Sequence, residues 1–397
     1  MALYFVDAPL EKNASKNKFN MYKRAFLRTD QYDVKVIIGL LRCYKFFFVT
    51  PFNFEDESNR KLGKYLSIIL SLLCVVYMYF SITDSYGLLK DSPITRFLLA
   101  DLWCIMNMLY LMSCFLNANA FKEETWKTAL RSVDQAEYML RKMSFQSPKK
   151  DLILLLQVVL IFVPYVVLTS FQVFLWISGG NMIALYSFVG SYVAYLYMCL
   201  FLFFVLRLTG ILKARYEFVE DNLKNIAGSK MDDQEKVRKL TEIVRLYKTF
   251  MFLMDSINGI FGPHLFFFIS VTISYMLCAI SYNMDIDAEN ETAKDSSILS
   301  ITVTVVYTLS LIVLIISCDG LEASGKKVIK TCYIMHESTE SRLVKDHLLQ
   351  MAQYAEQWRP TLSAAGFYNV NQSTLSAIFE AIITYLVIII QFNLALA

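Results

Sequence analysis

Seven stretches of predominantly apolar residues are spaced along the chain, separated by polar connections of uneven length. A helix needs about 20 such residues to cross the hydrocarbon core of a bilayer. Each stretch is about that long, and we number them spans one to seven, at residues 64–82, 96–117, 152–177, 183–207, 260–282, 297–318 and 374–396. The pattern therefore predicts an all-α integral membrane protein with seven transmembrane helices.

An eighth apolar stretch, at residues 34–54, is interrupted by Lys35, Arg42 and Lys45. Charges near the middle of a bilayer are costly. We therefore predict an amphipathic helix that lies on the membrane surface, within a cytoplasmic amino-terminal segment of residues 1–63.

The distribution of basic residues predicts the orientation of the chain. Of 38 Lys and Arg residues, only Lys90, Arg96 and Lys294 lie on or beside the connections that follow spans one, three and five. Lys and Arg concentrate on the cytoplasmic side of membrane proteins. We therefore expect a cytoplasmic amino terminus and an extracellular carboxyl terminus, the reverse of a G-protein-coupled receptor.

Composition supports a membrane protein and excludes other classes. Apolar residues make up 56% of the chain and charged residues only 18%, below the quarter typical of soluble proteins. The formal net charge of +3 is too small to suggest binding of nucleic acid. The lipid bilayer is the partner that the composition indicates.

The inner connections are long and helical in pattern, whereas the outer loops are short. We therefore expect spans one to six, residues 64–318, to enclose any ligand, and residues 319–373 to form cytoplasmic helices. Another inner connection precedes span five and carries an apolar stripe at steps of three and four residues, typical of a packed helix. Its members are Val237, Leu240, Val244, Tyr247, Met251 and Met254.

Motifs for catalysis and metal binding are absent from the sequence. It contains no Walker loop, no GxGxxG, no HExxH and no GxSxG. The three histidines, His264, His336 and His347, are too far apart and too poor in partners to suggest a metal site. We therefore predict no enzymatic activity, no metal site and no cofactor.

Span seven, within residues 374–397, carries a polar stripe. At 100° per residue, its polar side chains fall within a sector of about 80°, and they are Ser373, Ser376, Glu380, Thr384 and Gln391. Val387 is the one apolar residue of that sector. The sector either forms a helix–helix contact within one subunit or lines a pore. A single helix cannot enclose a conduit, so a pore would need several subunits around a symmetry axis.

Two segments near the end of the chain resemble the insect gustatory receptor family, which is related to the insect odorant receptors. Residues 384–392, TYLVIIIQF, resemble the TYhhhhhQF signature in the last span of that family, and AAGFYNV at 364–370 resembles the stretch before it. SINGIFGPHL, at the start of span five, resembles the Asn-containing start of the same helix in the family. Glu380 is a departure, because the family more often has a small or apolar residue there.

The resemblance implies a tastant-gated, non-selective cation channel of four subunits, in the plasma membrane of sensory neuron dendrites. Each subunit would contribute span seven to a central pore, and the cytoplasmic helices would anchor the subunits together. The homo- or heterotetramer would bind a small-molecule tastant and conduct cations. Gln391 and Phe392 match the gate region of the family, and the polar stripe adds Glu380, Thr384 and Val387 to the expected pore residues.

In this family the ligand would bind in the outer half of spans two to six. The aromatic and polar residues expected there are Trp103, Asn107, Thr169, Gln172, Trp176, Tyr192, Tyr195, Tyr275, Thr304 and Tyr307. Aromatic walls with a few hydroxyl and amide groups suit many organic ligands. Sugars and bitter compounds both remain open, and the mixture leans slightly toward the more apolar ligands.

Three alternatives stay open at this point. One is an odorant-receptor-like channel, the second is a polytopic solute transporter, and the third is an inverted receptor that signals through a separate protein. The orientation also predicts that Asn290, in the triplet Asn-Glu-Thr between spans five and six, is the N-glycosylation site.

Overall fold

A computed structural model of the chain describes residue 39 and residues 57–88, 94–117, 122–146, 151–178, 182–229, 231–284 and 291–396. From residue 57 onward, these ranges form helices α1 (Glu57–Leu88), α2 (Ile94–Leu116), α3 (Glu123–Lys142), α4 (Asp151–Ser178), α5 (Met182–Ala227), α6 (Asp233–Met284), α7 (Glu291–Ser338) and α8 (Arg342–Gln357), strands β1 (Ser363–Ala364) and β2 (Tyr368–Asn369), and helix α9 (Gln372–Leu396). Apart from residue 39, the predicted amphipathic helix lies outside the described residues.

Seven of these helices are long and apolar enough to cross a membrane. They are α1, α2, α4, α5, α6, α7 and α9, and each overlaps one predicted span. The prediction of an all-α membrane fold with seven transmembrane helices is confirmed. The sidedness of the two termini stays a prediction.

Three helices are much longer than a bilayer requires. Helices α5, α6 and α7 have 46, 52 and 48 residues, so α6 alone is about 78 Å long at a rise of about 1.5 Å per residue. The hydrocarbon core is only about 30 Å thick. These helices therefore extend well beyond the membrane at the end where α3, α8 and the strands lie, which we call the inner end of the bundle.

Burial separates a central helix from a peripheral one. In the most apolar window of α5, 72% of the residues are buried within the protein, against 6% for α4. Helix α5 packs against α1, α2, α4, α6 and α7, and Phe201 and Val205 are among its buried side chains. Helix α4 instead leaves side chains such as Leu160 and Phe174 exposed, as expected of a helix that faces lipid.

The helical connections pack below the membrane as the apolar stripe predicts. Leu240, Tyr247 and Met254 are buried on α6, and α8 packs against both α6 and α7. The Tyr247 hydroxyl donates a hydrogen bond to the Trp358 carbonyl, 3.2 Å away. The inner parts of α6 and α7 thus form a helical bundle with α8.

A short β-hairpin joins α8 to α9. Ser363 pairs with Asn369 and Ala364 with Tyr368. The turn between them places Ala365 and Gly366 at φ of 53° and 84°, a left-handed conformation that favours glycine and costs energy in other residues. The hairpin packs against α6, so it connects the last helix directly to the bundle.

Candidate functional site

A cavity with about 410 Å³ of empty space lies in the membrane-spanning part of the bundle, in the half away from α3 and α8. Its lining comes from α2, α4, α5, α6 and α7 and consists of Trp103, Leu168, Thr169, Gln172, Ser191, Tyr192, Tyr195, Tyr275, Val303 and Tyr307. Seven of these ten were singled out from the sequence as ligand-binding candidates. The structure therefore brings most of the predicted set to one place, and ligand binding itself remains a prediction.

A row of aromatic rings with three stacked tyrosines at its centre crosses this cavity. The Tyr307 ring lies between Tyr195 and Tyr275, with ring centroids 5.0 Å and 4.7 Å away and planes tilted by only 20° and 21°. Trp103 contacts Tyr275 at 5.3 Å and Tyr165 contacts Tyr195 at 5.2 Å, each with the two ring planes inclined by 60°. Because each ring belongs to a different helix, this row of contacts connects α2, α6, α7, α5 and α4.

Polar groups accompany the rings. Thr169, Gln172 and Ser191 line the cavity, and the Tyr195 hydroxyl is buried without a hydrogen-bond partner among the described residues. A buried polar group left unpaired costs about 1–3 kcal/mol. A ligand with a hydrogen-bonding group could recover that cost, while the tyrosine rings offer a flat apolar surface.

Three predicted ligand residues lie outside the lining. The Asn107 side chain is fully buried and donates a hydrogen bond to the Trp103 carbonyl, 3.0 Å away. The Thr304 hydroxyl donates to the Ser300 carbonyl, 2.8 Å away, and Trp176 is half-buried one helical turn beyond Gln172. All three are close in sequence to lining residues but differ from them in position around or along the helix.

Leu168, Ser191 and Val303 line the cavity but were not predicted. Only one signal was available for them, the helical spacing. Val303 lies four residues before Tyr307, and Ser191 four before Tyr195, so each shares a helix face with a predicted tyrosine.

The polar stripe of α9 faces away from the bundle of its own chain. Ile378, Ile382 and Ile389 are the buried residues of this helix, and at 100° per residue they lie opposite the stripe. The stripe is exposed at each position, namely Ser373, Ser376, Glu380, Thr384, Val387 and Gln391. Among the described residues Glu380 makes no ion pair, so within one chain this surface is not a helix–helix seam.

The two inner segments that resemble the gustatory family meet at a joint between α6 and the hairpin. The Asn258 amide donates to the Thr361 carbonyl at 2.9 Å, and its carbonyl oxygen accepts from the Ser363 backbone N–H at 3.0 Å. One helical turn later, Gly262 lies so close that a Cβ atom there would be 3.0 Å from the Ala365 backbone nitrogen. The sequence analysis included Asn258 only as part of the segment SINGIFGPHL, which resembles the gustatory receptor family, and did not predict its contacts with the hairpin.

The start of α9 is fixed by Asn371. Its side-chain oxygen accepts hydrogen bonds from the Ser373 hydroxyl at 2.6 Å and from the Thr374 backbone N–H at 3.4 Å, the arrangement of an N-cap. Its amide donates to Glu322 of α7, 3.4 Å away. Just before it, burial raises the pKa of the Tyr368 hydroxyl, which therefore stays neutral at physiological pH.

Two predicted residues cannot be placed in this way. Asn290, the predicted glycosylation site, lies outside the described residues. Phe392 belongs to α9, but its side chain is not among those described. Both assignments stay predictions.

A family model and one relative match the sequence. The model described as 7tm Chemosensory receptor matches residues 131–396. Gustatory receptor 68a of Drosophila melanogaster is 27% identical over 206 residues, which are 50% of this chain and 52% of that protein. The chain thus matches about half of the length of this relative.

Solved structures match the fold over nearly the whole chain. The olfactory receptor OR5 of Machilis hrabei in complex with eugenol has a TM-score of 0.60 and 12% identity, covering 96% of this chain and 100% of the receptor. A second structure of OR5 has a TM-score of 0.50 and 13% identity, covering 82% and 89%. At such identities the likeness shows the fold alone.

Proposed function

Because the chain belongs to the 7tm chemosensory receptor family, we propose that it is a gustatory receptor that acts as a tastant-gated, non-selective cation channel in the plasma membrane. The tastant binds in the aromatic cavity between α2, α4, α5, α6 and α7. The pore forms where α9 helices of four subunits meet around an axis, in a homotetramer or in a heterotetramer with related subunits.

The stack of tyrosines in the cavity is the observation that carries this proposal. Tyr195, Tyr275 and Tyr307 come from three helices, and their rings lie nearly parallel. A flat organic ligand can insert beside such rings and move the helices relative to one another. Eugenol, the ligand in the OR5 complex, is an aromatic compound, which supports an organic ligand of this kind.

The exposed stripe of α9 supports the pore. A row of polar side chains on the surface of a membrane helix needs water or another protein surface beside it. Copies of α9 around an axis would provide both, with Thr384 and Gln391 toward the conduit and Ile378, Ile382 and Ile389 toward the rest of the subunit. Four copies of Glu380 would form a carboxylate ring that favours cations.

Helix α6 is the connection between the cavity and the pore. It carries Tyr275 in the cavity and Asn258 at the hairpin, 17 residues apart in one continuous helix, or about 25 Å. A shift of α6 is therefore transmitted to the hairpin and the start of α9. The ligand drives the shift only by binding the open state more tightly than the closed one.

Currents in excised patches test the proposal. Patches from cells that express the chain are exposed to sugars, bitter alkaloids and aromatic compounds while the soluble cytoplasm is absent. We expect a cation current evoked by at least one class of ligand. Responses in intact cells that vanish in excised patches would instead show a receptor that signals through a separate protein.

An odorant-receptor-like channel is the second candidate, because the OR5 structures share the fold. The same patches separate the two, since an odorant receptor responds to volatile aromatic compounds and not to sugars or alkaloids. A solute transporter would instead accumulate labelled ligand in vesicles without a ligand-evoked current.

A further inference from the structure

A second and larger cavity lies at the inner end of the bundle, between α3 and the inner parts of α5 and α6. Its empty volume, including the part that is open to solvent, is about 760 Å³, compared with about 410 Å³ for the aromatic cavity on the same measure. Trp126 of α3 lies against Phe261 of α6 at one end, with ring centroids 5.6 Å apart. At the other end Glu137 of α3 pairs with Arg215 of α5.

The walls of this inner cavity are almost entirely apolar. Among the residues that the structure describes, Glu137 and Arg215 are the only charged ones in the lining, and both side chains are 4% exposed. The two are bonded to each other, and the Arg215 guanidinium also donates to the Ile211 carbonyl at 3.1 Å. The ion pair is neutral as a unit, so the cavity offers no cation for an anionic ligand.

Two polar atoms of the lining have no hydrogen-bond partner among the described residues, the Trp126 indole N–H and the Glu137 Oε2 atom. Trp126 is 4% exposed, and its indole N–H is buried without a hydrogen-bond acceptor among the described residues. The indole nitrogen of tryptophan is a donor only. The cavity thus combines a long apolar surface with an unsatisfied donor at Trp126 and an unsatisfied carboxylate oxygen at Glu137.

The lining on α3 is long. Trp126, Val133 and Glu137 all line the cavity from α3, and the 11 positions from the first to the last correspond to about 16 Å along the helix. The Trp126 end lies beside the start of predicted span five, at the inner edge of the membrane. This end is therefore the part of the cavity nearest to the predicted membrane.

We propose that the inner cavity is a second binding site, for a small molecule with a hydrocarbon chain and one hydrogen-bond acceptor. The acceptor bonds to the Trp126 N–H, and the chain extends along α3 toward Glu137. This site is separate from the proposed tastant site, and its occupation does not depend on channel activity.

Photoaffinity labelling of the full-length chain in lipid nanodiscs tests this site. The probe is an aliphatic methyl ketone with a diazirine at the hydrocarbon end, and labelled peptides are located by mass spectrometry. The competitors are 2-decanone, which has one acceptor, and decane, which has none. We expect label on α3 and on the facing parts of α5 and α6. 2-Decanone should displace the probe at a roughly three- to tenfold lower concentration than decane, because one hydrogen bond strengthens binding by about that factor.

Three variants make the test specific. Trp126→Phe keeps an aromatic ring but loses the donor, so 2-decanone and decane should displace the probe equally. Ala129→Leu fills the cavity from α3 and should weaken binding of the probe by about tenfold or more, so that labelling falls accordingly. A tenfold change corresponds to a loss of roughly 1.4 kcal/mol in binding free energy. Tyr138→Leu, at a position that is 73% exposed on the same helix, should label like the wild type.

Several outcomes would overturn the proposal. Label spread evenly over lipid-facing helices, or no label on α3, would show that the ketone does not occupy the cavity. Equal displacement by decane in the wild type, or an unchanged preference in Trp126→Phe, would show that the indole donor has no part in binding.

Discussion

Replacing Gly262 by alanine tests the joint between α6 and the hairpin. An ideal Cβ at this position would lie 3.0 Å from the Ala365 nitrogen, 3.1 Å from the Ser363 carbonyl oxygen and 3.2 Å from the Ala365 Cα. All three are backbone atoms, which cannot rotate away as a side chain can. Overpacking of this kind costs about 1–3 kcal/mol, so the hairpin must shift or the fold must lose stability.

Gly210→Ala is the matched control. Gly210 also lies within a long helix, α5, but a Cβ there would have no neighbour within 4 Å. Alanine favours a helix over glycine by about 0.8–1 kcal/mol, and this gain applies to both variants. We therefore expect Gly210→Ala to be neutral or stabilising, and Gly262→Ala to be less stable than Gly210→Ala by about 1–3 kcal/mol.

Thermal unfolding of the detergent-solubilised full chain measures this difference. The apparent midpoint, followed by fluorescence-detected gel filtration after heating, should be lower for Gly262→Ala than for Gly210→Ala. If both variants are stabilised equally, the hairpin does not press against α6 as the distances indicate, and the joint cannot transmit a movement.

Three further predictions concern the pore and the topology. Glu380→Gln should reduce the preference for cations, because it neutralises the carboxylate ring, and unchanged reversal potentials in salt-dilution experiments would exclude the ring. Phe392→Ala should raise current in the absence of ligand if the four rings close the conduit by excluding water, whereas normal leak with intact surface expression would remove Phe392 from the gate. Glycosidase should shift the wild-type band on a gel but not that of Asn290→Gln. A sugar on Asn13, in the triplet Asn-Ala-Ser of the predicted cytoplasmic segment, would reverse the predicted orientation.

The membrane spans could be predicted because they depend on composition over about 20 residues. Their continuation beyond the membrane could be predicted for the helix of span five, from the apolar stripe that runs into it, but not for the helices of spans four and six. Predicted span 260–282 lies within α6, which runs from Asp233 to Met284, because a helix does not end at the membrane surface when packing continues beyond it. The buried rings of Tyr216 and Phe250, 5.4 Å apart, provide such packing between α5 and α6.

The aromatic cavity was predicted in part because family resemblance gave the depth along each span and residue type gave the candidates. The rotation of each helix about its axis could not be read with equal accuracy. Thr304 is thus outside the lining while its neighbour Val303 is in it. For α9 the rotation about the helix axis could be predicted, because the polar residues themselves mark the face opposite Ile378 and Ile382.

The hairpin before α9 was missed because its stability comes from distant contacts. Gly366 is the local signal for a turn, but residues 363–369 are too few to show an alternating strand pattern. The bonds from Asn258 to Thr361 and Ser363 span more than a hundred residues of sequence. Only the resemblance of both segments to one family pointed to this region.

The central claim, that a ligand in the aromatic cavity opens the channel, is tested most directly by the concentration dependence of the evoked current in two serine variants. Ser191 lines the cavity and is 8% exposed, whereas Ser178 is exposed at the end of α4. Ser191→Leu fills the cavity and should raise the half-maximal ligand concentration about tenfold or more, a loss of roughly 1.4 kcal/mol, while Ser178→Leu leaves it unchanged. Identical curves for wild type and Ser191→Leu, at equal surface expression, would contradict the account.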